Sequence, residues 1–520
     1  MAQKEQDPSK SDTTVGSGEH AASTTDARDE NPADRDLEAA RAPPPDNAEK
    51  EPTDPDLVIW DGPQDAANPK NWTTKKKWAT TILVSTFTFI SPVSSSMVSP
   101  ALETLGKDLG MKSDIEVEMA LSIFVLGYAI GPLFFGPVSE LFGRARVLQL
   151  SNLFYLAWNL GCGFAQNRAE MFVFRFLAGI GGSAPLSVGG GALSDCWAPE
   201  QRGKAVGIYS LAPLLGPVVG PIAGGFIAQN TTWRWVFYAT SIAAGVVSGA
   251  GLIWLSETHA PTILKRKRDR LVKETGNNKL HTGTSSSDKS LVGALGDALL
   301  RPSRMLATQP IVQLVALYMA YLFGLTYLIT VTFPVVWSEV YGESLGIGGL
   351  NFISLGVGSI LGVQVNLRFV DRIYRRLKEK NDGVGLPEFR VPSMFVGSAF
   401  IPVGLFWYGW SVQGHVHWIM PNIGIAIFAA GTIVCLQSMQ GYVIDSYTRF
   451  AASGLAAVVV LRSLAGFGFP LFAPYLYERL DYGWGSSVLA FISIAIGVPA
   501  PFVFYLFGAK LRAMSKYAAG

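Results

Sequence analysis

After Lys77 the chain becomes a succession of apolar runs, each roughly long enough to cross a hydrocarbon layer about 30 Å thick. The first six are expected at 77–100, 117–138, 147–165, 169–192, 204–227 and 234–255. After a polar stretch, six more are expected at 309–336, 347–368, 392–411, 417–440, 450–474 and 485–508. The predicted fold class is therefore all-α and integral to a membrane, with twelve transmembrane helices. Composition agrees, because only 16% of the 520 residues are charged, against about 25% in a soluble chain.

The charge deficit is uneven, and that divides the chain. Residues 1–56 are rich in Asp, Glu, Lys, Pro, Ser and Thr. They cannot bury enough apolar surface to offset ordering, so a disordered cytoplasmic tail is expected. Residues 57–76 interleave Trp60 and Trp72 with Lys70, Lys75 and Lys76, just ahead of Lys77 and Trp78. Tryptophan favours the headgroup region and lysine its cytoplasmic side, so an interfacial segment is predicted. A first bundle over 77–255, a cytoplasmic loop over 256–308, a second bundle over 309–509 and a tail over 510–520 complete the division.

Basic residues set the orientation. One set of connections carries Arg144 and Arg146, Arg202 and Lys204, the run Lys265 to Arg270, and Arg372 to Lys380. The alternate set carries little beyond Lys107, Lys112, Arg168, Arg234 and Arg479. The bias puts the first set and both termini in the cytoplasm. The second-to-third and eighth-to-ninth connections both place an acid and then several bases after a span (Glu140, Arg144, Arg146; Asp371, Arg372, Arg375, Arg376). Two pseudo-symmetric six-helix bundles about an axis along the membrane normal would leave that repetition.

Several chemistries are not supported. No G-x-x-x-x-G-K-[ST] occurs; Gly110-Met111-Lys112-Ser113 comes nearest, with Met between Gly and Lys. Transport would then run on an ion or substrate gradient, without enzymatic turnover. Cys162, Cys196 and Cys435 lie far apart beside apolar runs, without metal or redox spacing, so neither cofactor nor metal is expected. A net charge of +2 gives no reason to expect a nucleic-acid partner. The N-terminus has no apolar h-region, so no cleaved signal peptide is predicted.

Three motifs carry mechanism. In the 136–146 loop, Gly136 and Gly143 would permit a tight turn, with Glu140, Arg144 and Arg146 acting as a charge latch made and broken as the halves rock. The plainer reading is an ordinary positive-inside loop. Arg175 lies about seven residues inside the fourth apolar run and Arg462 within the eleventh. A charge at that depth is costly and faces an aqueous cavity or a partner, unless it snorkels. In the fifth run, Gly216, Gly220 and Gly224 recur every four residues beside Pro217, Pro221 and Gly225. A small-residue face permits close helix packing and the prolines permit a bend, which together suit a gate.

Together these motifs resemble the major facilitator superfamily, and the glycine–proline helix resembles the antiporter signature of its twelve-span drug:proton antiporters. The resemblance covers 57–510 and points to the fungal branch. Asn68-Pro69-Lys70-Asn71-Trp72, Asp195 with Arg202-Gly203, Ser256 to Pro261, Tyr442 to Tyr447 with Asp445, Ala451 to Ser453, Arg462-Ser463 and Phe469 to Phe472 carry it in order. Glu140 stands where the superfamily usually has Asp, and Ala145 separates what is often an arginine pair. The resemblance implies a monomeric, proton-coupled exporter of drugs, fungicides or a fungal secondary metabolite. It also implies a plasma-membrane location, with the vacuolar membrane second, and a coupling role for Arg175, Asp195, Asp445 and Arg462. The first run has no carboxylate, and Glu103, Asp195, Glu339 and Asp445 fall near run ends, so no titrating residue is assigned.

Mid-depth candidates for a substrate cavity are Phe89, Phe124, Tyr128, Tyr209, Tyr318, Tyr321, Tyr327, Gln364, Gln437 and Gln440. Aromatics with a few amides suit an amphipathic, roughly neutral organic molecule. Scarce acids argue against a polyamine. Nutrient uptake and a transport-inactive receptor remain the competing functions. Asn230-Thr231-Thr232 is an acceptor sequon close to the membrane on the outer side, and only a weak glycosylation candidate.

Overall fold

The computed structural model describes residues 54–198, 201–283, 291–447 and 451–515. Asp56–Gly520 make up one compact unit; Met1–Pro55, including nearly all of the expected tail, lies outside the described residues save its last two positions.

The apolar runs are helices, and polar residues just outside them set several starts. The first span is Thr74–Ser96, its Thr73 side chain accepting from Lys76 N. The second is Asp114–Phe142, capped by Ser113, and the fourth is Arg168–Cys196, capped by Asn167. In both, a glutamate three residues on reaches back to a preceding backbone N–H: Glu116 to Lys112 at 2.7 Å and Glu170 to Gln166 at 2.9 Å. These are reciprocal caps at the same end of neighbouring helices, and an Arg168–Glu116 ion pair joins them.

The third, fifth and sixth spans are Arg144–Phe164, Arg202–Asn230 and Arg234–Trp254. The second half repeats the set. The seventh is Pro310–Val335 with a π turn over Val336–Val340. The eighth runs through Leu345–Leu350, Phe352–Val365 and Asp371–Lys380, and the ninth and tenth are Pro392–Gln413 and Ile419–Ser446. Among the described residues, ten helical stretches are long and apolar enough to cross a membrane. The third span escapes that test because Gln149, Asn152 and Asn159 dilute it. The last two follow one another without an intervening loop, over Ala451–Ile492, Ser493–Gly497 and Pro499–Ala513, with a non-helical break inside the first of these stretches. They meet at Asp481, whose φ of 54° is a left-handed value that side-chain-bearing residues seldom adopt.

Helices extend beyond the apolar runs towards the basic connections. The 256–308 stretch itself carries helices Ala260–Thr275 and Leu291–Thr308. The expected interfacial segment is partly a docked strap. Trp72 is buried in a cluster with Val147, Leu193 and Trp197, and Leu57 bridges to His281. Lys76 sits 3.9 Å over the Trp72 ring, so the ring serves packing and cation–π contact rather than lipid headgroups.

Candidate functional site

Arg175 is fully buried in the first half. Its guanidinium donates to four carbonyls: Ala120 at 3.0 Å, Ser94 and Ser95 at 3.2 Å, and Leu121 at 3.4 Å. Ser94 and Ser95 end the first span, where helical carbonyls lack an N–H partner. The arginine therefore ties the ends of spans 1, 2 and 4 together, and it lies 4.6 Å from the Phe124 ring centroid. Its neighbour Asn159 donates to Phe237 O, Thr240 and Ser241 while accepting from Ser94. No carboxylate pairs with Arg175 among the described residues.

Arg462 is less well supplied. Its guanidinium lies 4.8 Å from the Phe323 ring centroid, its Nε is buried without an acceptor, and its electrostatic neighbours are Tyr327 and Tyr128. Both phenols sit where the halves meet. Tyr128 is 2.6 Å from Ser91 Oγ, and Tyr327 reaches across to Ser95 Oγ at 3.3 Å.

The glycine–proline helix lies against the first span. A Cβ on Gly224 would stand 2.0 Å from Met97 O, and one on Gly216 would stand 2.4 Å from Pro92 Cβ. The helix stays continuous through Pro217 and Pro221. Each proline leaves a carbonyl one turn earlier without its donor, a place where bending is cheap. Gly225 and Pro221 face the other half, against Leu345 O and Gly349.

These contacts define a seal. Among the described residues three hydrogen bonds join the halves: Ser95–Tyr327, Ser99 to Thr330 O at 2.9 Å, and Gly346 N to Gln229 Oε1 at 2.8 Å. Gly466 against Val125 and Gly356 against Val218 extend it. All lie in the half of the bundle away from the basic loops.

At the basic end the expected latch takes a different form. Gly143 makes the turn, with φ 99°, but Gly136 is helical, because the second span continues through Pro137 to Phe142. Arg144 pairs with Asp195 at 3.4 Å and approaches Glu140 at 3.7 Å, while its backbone N–H donates to Glu257 at 2.8 Å. Arg146 is exposed. Asp195 and Glu140 belong to the first half and Glu257 to the loop that directly follows its sixth span, so the cluster clamps one bundle and its exit and does not bridge two. Burial and the facing Arg144 guanidinium hold His259 below the usual imidazole range, against the opposing pull of Glu257.

The second half repeats the clamp. Arg390, at the start of the ninth span, pairs with Asp445 at the end of the tenth, as Arg144 at the start of the third pairs with Asp195 at the end of the fourth. Gly441 lies under Arg390 and Gly191 under Arg144, each four residues before its aspartate. Arg512 adds two bonds to Glu388, both at 3.0 Å. Asp195 and Asp445 are thus ion-paired end groups. Arg390, Glu388 and Arg512 were missed from the sequence because nothing local marks their pairing.

The cavity candidates scatter. Phe124 is sealed beneath Arg175, Tyr321 faces Gly497 of the last span, and Tyr318 packs on Phe504. None of the three lines an opening, because their rings point into their own bundles. Tyr209 donates to Pro185 O at 3.0 Å. Gln437 accepts from Asn366 at 2.7 Å, bridging spans 10 and 8. Phe89 and Gln440 are half-buried and Gln364 is exposed. Asn230 is exposed, with its amide turned back to Phe226 O. Glu118, one turn into the second span, is only 7% exposed, and its Oε2 has no partner. It is the second residue of the apolar run at 117–138 and so falls near a run end, yet an acid within an apolar window is itself the signal.

Two related helical bundles of membrane-spanning length that meet along a seam define the architecture of a membrane transporter. The description Major Facilitator Superfamily matches residues 84–470, and the chain belongs to that family. It is 59% identical over 467 residues to "Efflux pump vrtL" of Penicillium aethiopicum, covering 90% of this chain and 92% of that one. It is 40% identical over 469 residues to "Efflux pump radE" of Floropilus chiversii, covering 90% and 87%. Its fold is that of the xylose transporter XylE from E. coli in a partially occluded inward open conformation. That match has a TM-score of 0.63 at 15% identity over 84% of this chain and 98% of that one.

Proposed function

We propose that this chain exports hydrophobic or amphipathic small molecules, such as a fungal secondary metabolite, a drug or a fungicide, in exchange for protons. The observation that carries the reading is the likeness over nine-tenths of the chain to two relatives named as efflux pumps. The contacts described between the halves lie away from the basic loops, which by charge bias face the cytoplasm, and this supports an inward-facing state in which cargo can load. The names of the two relatives support export, and the packed, bendable fifth span supports a gate at the seam between the halves. Rocking that parts the Gly225–Leu345 and Gly346–Gln229 contacts would open the outer side.

For the proton we assign Glu118. It lies one turn into the second span, seven residues before Val125 and so on the same helix face. Its charged neighbour within electrostatic reach is Asp114, one turn away on the same helix. A buried carboxyl without a counter-charge is stable when protonated and must gain water to ionise. Opening of the seal would expose the group to the outer solution, where it takes up the proton that it must later release towards the cytoplasm for cargo and proton to exchange.

The deciding experiment expresses the chain in a fungal host lacking its own exporters and scores resistance to a toxin panel. Raised resistance with lower intracellular toxin is expected; hypersensitivity would mean uptake. Proteoliposomes with an imposed proton gradient should show flux, which a receptor would lack.

A further inference from the structure

The two central arginines leave the middle of the bundle with positive charge and no counter-ion. Arg175 has its donors engaged by four carbonyls. Arg462 does not. It shares one face of the eleventh span with Gly466 and Phe469, at helical spacing. Gly466 meets Val125 and Phe323, and Phe469 lies against Gly324 of the seventh span. That face therefore looks at the junction of spans 2, 7 and 11, and Arg462 sits one turn on the basic-end side of the seal. The residue is half-buried, and its Nε is buried and unpartnered. Its surroundings are Phe323, Tyr128 and Tyr327, with no carboxylate.

We infer that Arg462 is the anchor for an ionised acidic group on the cargo, a carboxylate or an acidic phenol attached to an aromatic body. This deepens the export reading above and rests on it for the site being a cargo site. A guanidinium in a low-dielectric site gains most from a planar anion that accepts two parallel bonds. A neutral cargo would leave the buried Nε–H unanswered, and a cationic one would face two like charges. The ring of Phe323 and the two phenols offer the apolar frame that an aromatic acid needs and a small inorganic anion does not.

The test measures equilibrium binding of three aromatic carboxylic acids, anthracene-9-carboxylate among them, and their methyl esters to the purified full chain. Intrinsic tryptophan fluorescence reports binding, and size-exclusion profiles control for folding. Each acid should bind at least about tenfold tighter than its ester, the scale of a charge-assisted bond in a protein interior. The preference should vanish in Arg462→Gln and survive in part in Arg462→Lys. It should also fade in the wild-type chain as pH falls through the probe's own carboxyl pKa, near 4. Esters binding as well as acids, an Arg462→Gln chain that keeps the preference, or no binding by any acid would each overturn the inference. If Arg462→Gln does not fold, the wild-type acid–ester ratio and its pH profile still decide. Because binding needs neither gradient nor direction, it can fail while the resistance assay succeeds, and the reverse.

Discussion

Arg175 and Arg462 are both charged side chains inside apolar helices, and their surroundings differ in kind. Arg175 closes the ends of three helices with four carbonyl bonds and has no access to solvent. Arg462 lies where two halves meet, half-buried and with an unanswered Nε. A buried guanidinium with four of its five N–H groups bonded to carbonyls is a building element. An unsaturated one at a seam is available for a ligand. The difference teaches that depth alone does not assign a role to a membrane arginine; the acceptors around it do.

The comparison can be broken most directly by removing each group. Arg175→Met strands the Ser94 and Ser95 carbonyls and four hydrogen bonds to a charged donor, each worth about 1.5–3 kcal/mol. Loss of several kcal/mol, seen as aggregation on size exclusion or a large fall in Tm, is expected. Arg462→Met should leave Tm nearly unchanged while cargo binding falls. Equal destabilisation by the two would sink the distinction.

Next in size is Gly224→Val, which asks whether Arg175 depends on the seating of the first span. A branched side chain where a Cβ already meets Met97 O at 2.0 Å must push that span away. Overpacking of this kind costs about 1–3 kcal/mol, and flux in proteoliposomes should fall with it. Gly207→Ala, where a Cβ meets nothing within 4 Å, should transport normally.

Glu118→Gln separates the charge that couples from the charges that bind. Gradient-driven flux should drop at least about tenfold, while cargo exchange without a gradient continues and Tm holds, since a lone buried carboxyl adds little stability. Retained gradient-driven flux would move the proton elsewhere. The smallest effects belong to the clamps. Asp195→Asn and Asp445→Asn remove partly exposed ion pairs, so each should cost about 1 kcal/mol or less and matter less at high salt. A Tm series against salt concentration checks this.

The spans were legible because an apolar run of membrane length is a local property, and so were Arg175, Arg462 and the Gly216–Gly224 face. Gly136 misled because glycine and Pro137 in a long apolar helix do not stop it; neighbouring helices and lipid leave the backbone no better partner than itself. The Arg390–Asp445 pair spans 55 residues in sequence, and only the fold brings it together. The cavity aromatics failed for a geometric reason. Residue type says that a ring will be buried, but the azimuth of its helix decides whether it faces the seam, as Tyr327 does, or the bundle's own core, as Tyr321 does.

The paired clamps also bear on the speed of switching. Every ion pair described lies inside one half, and the seam is closed by glycine, aliphatic and aromatic contacts with three neutral hydrogen bonds. Opening it separates apolar surface and breaks no charge pair. The interconversion rate should then respond weakly to ionic strength and carry a heat-capacity signature, with a curved temperature dependence of turnover. A transporter closed in this way has its pace set by water reaching the seam.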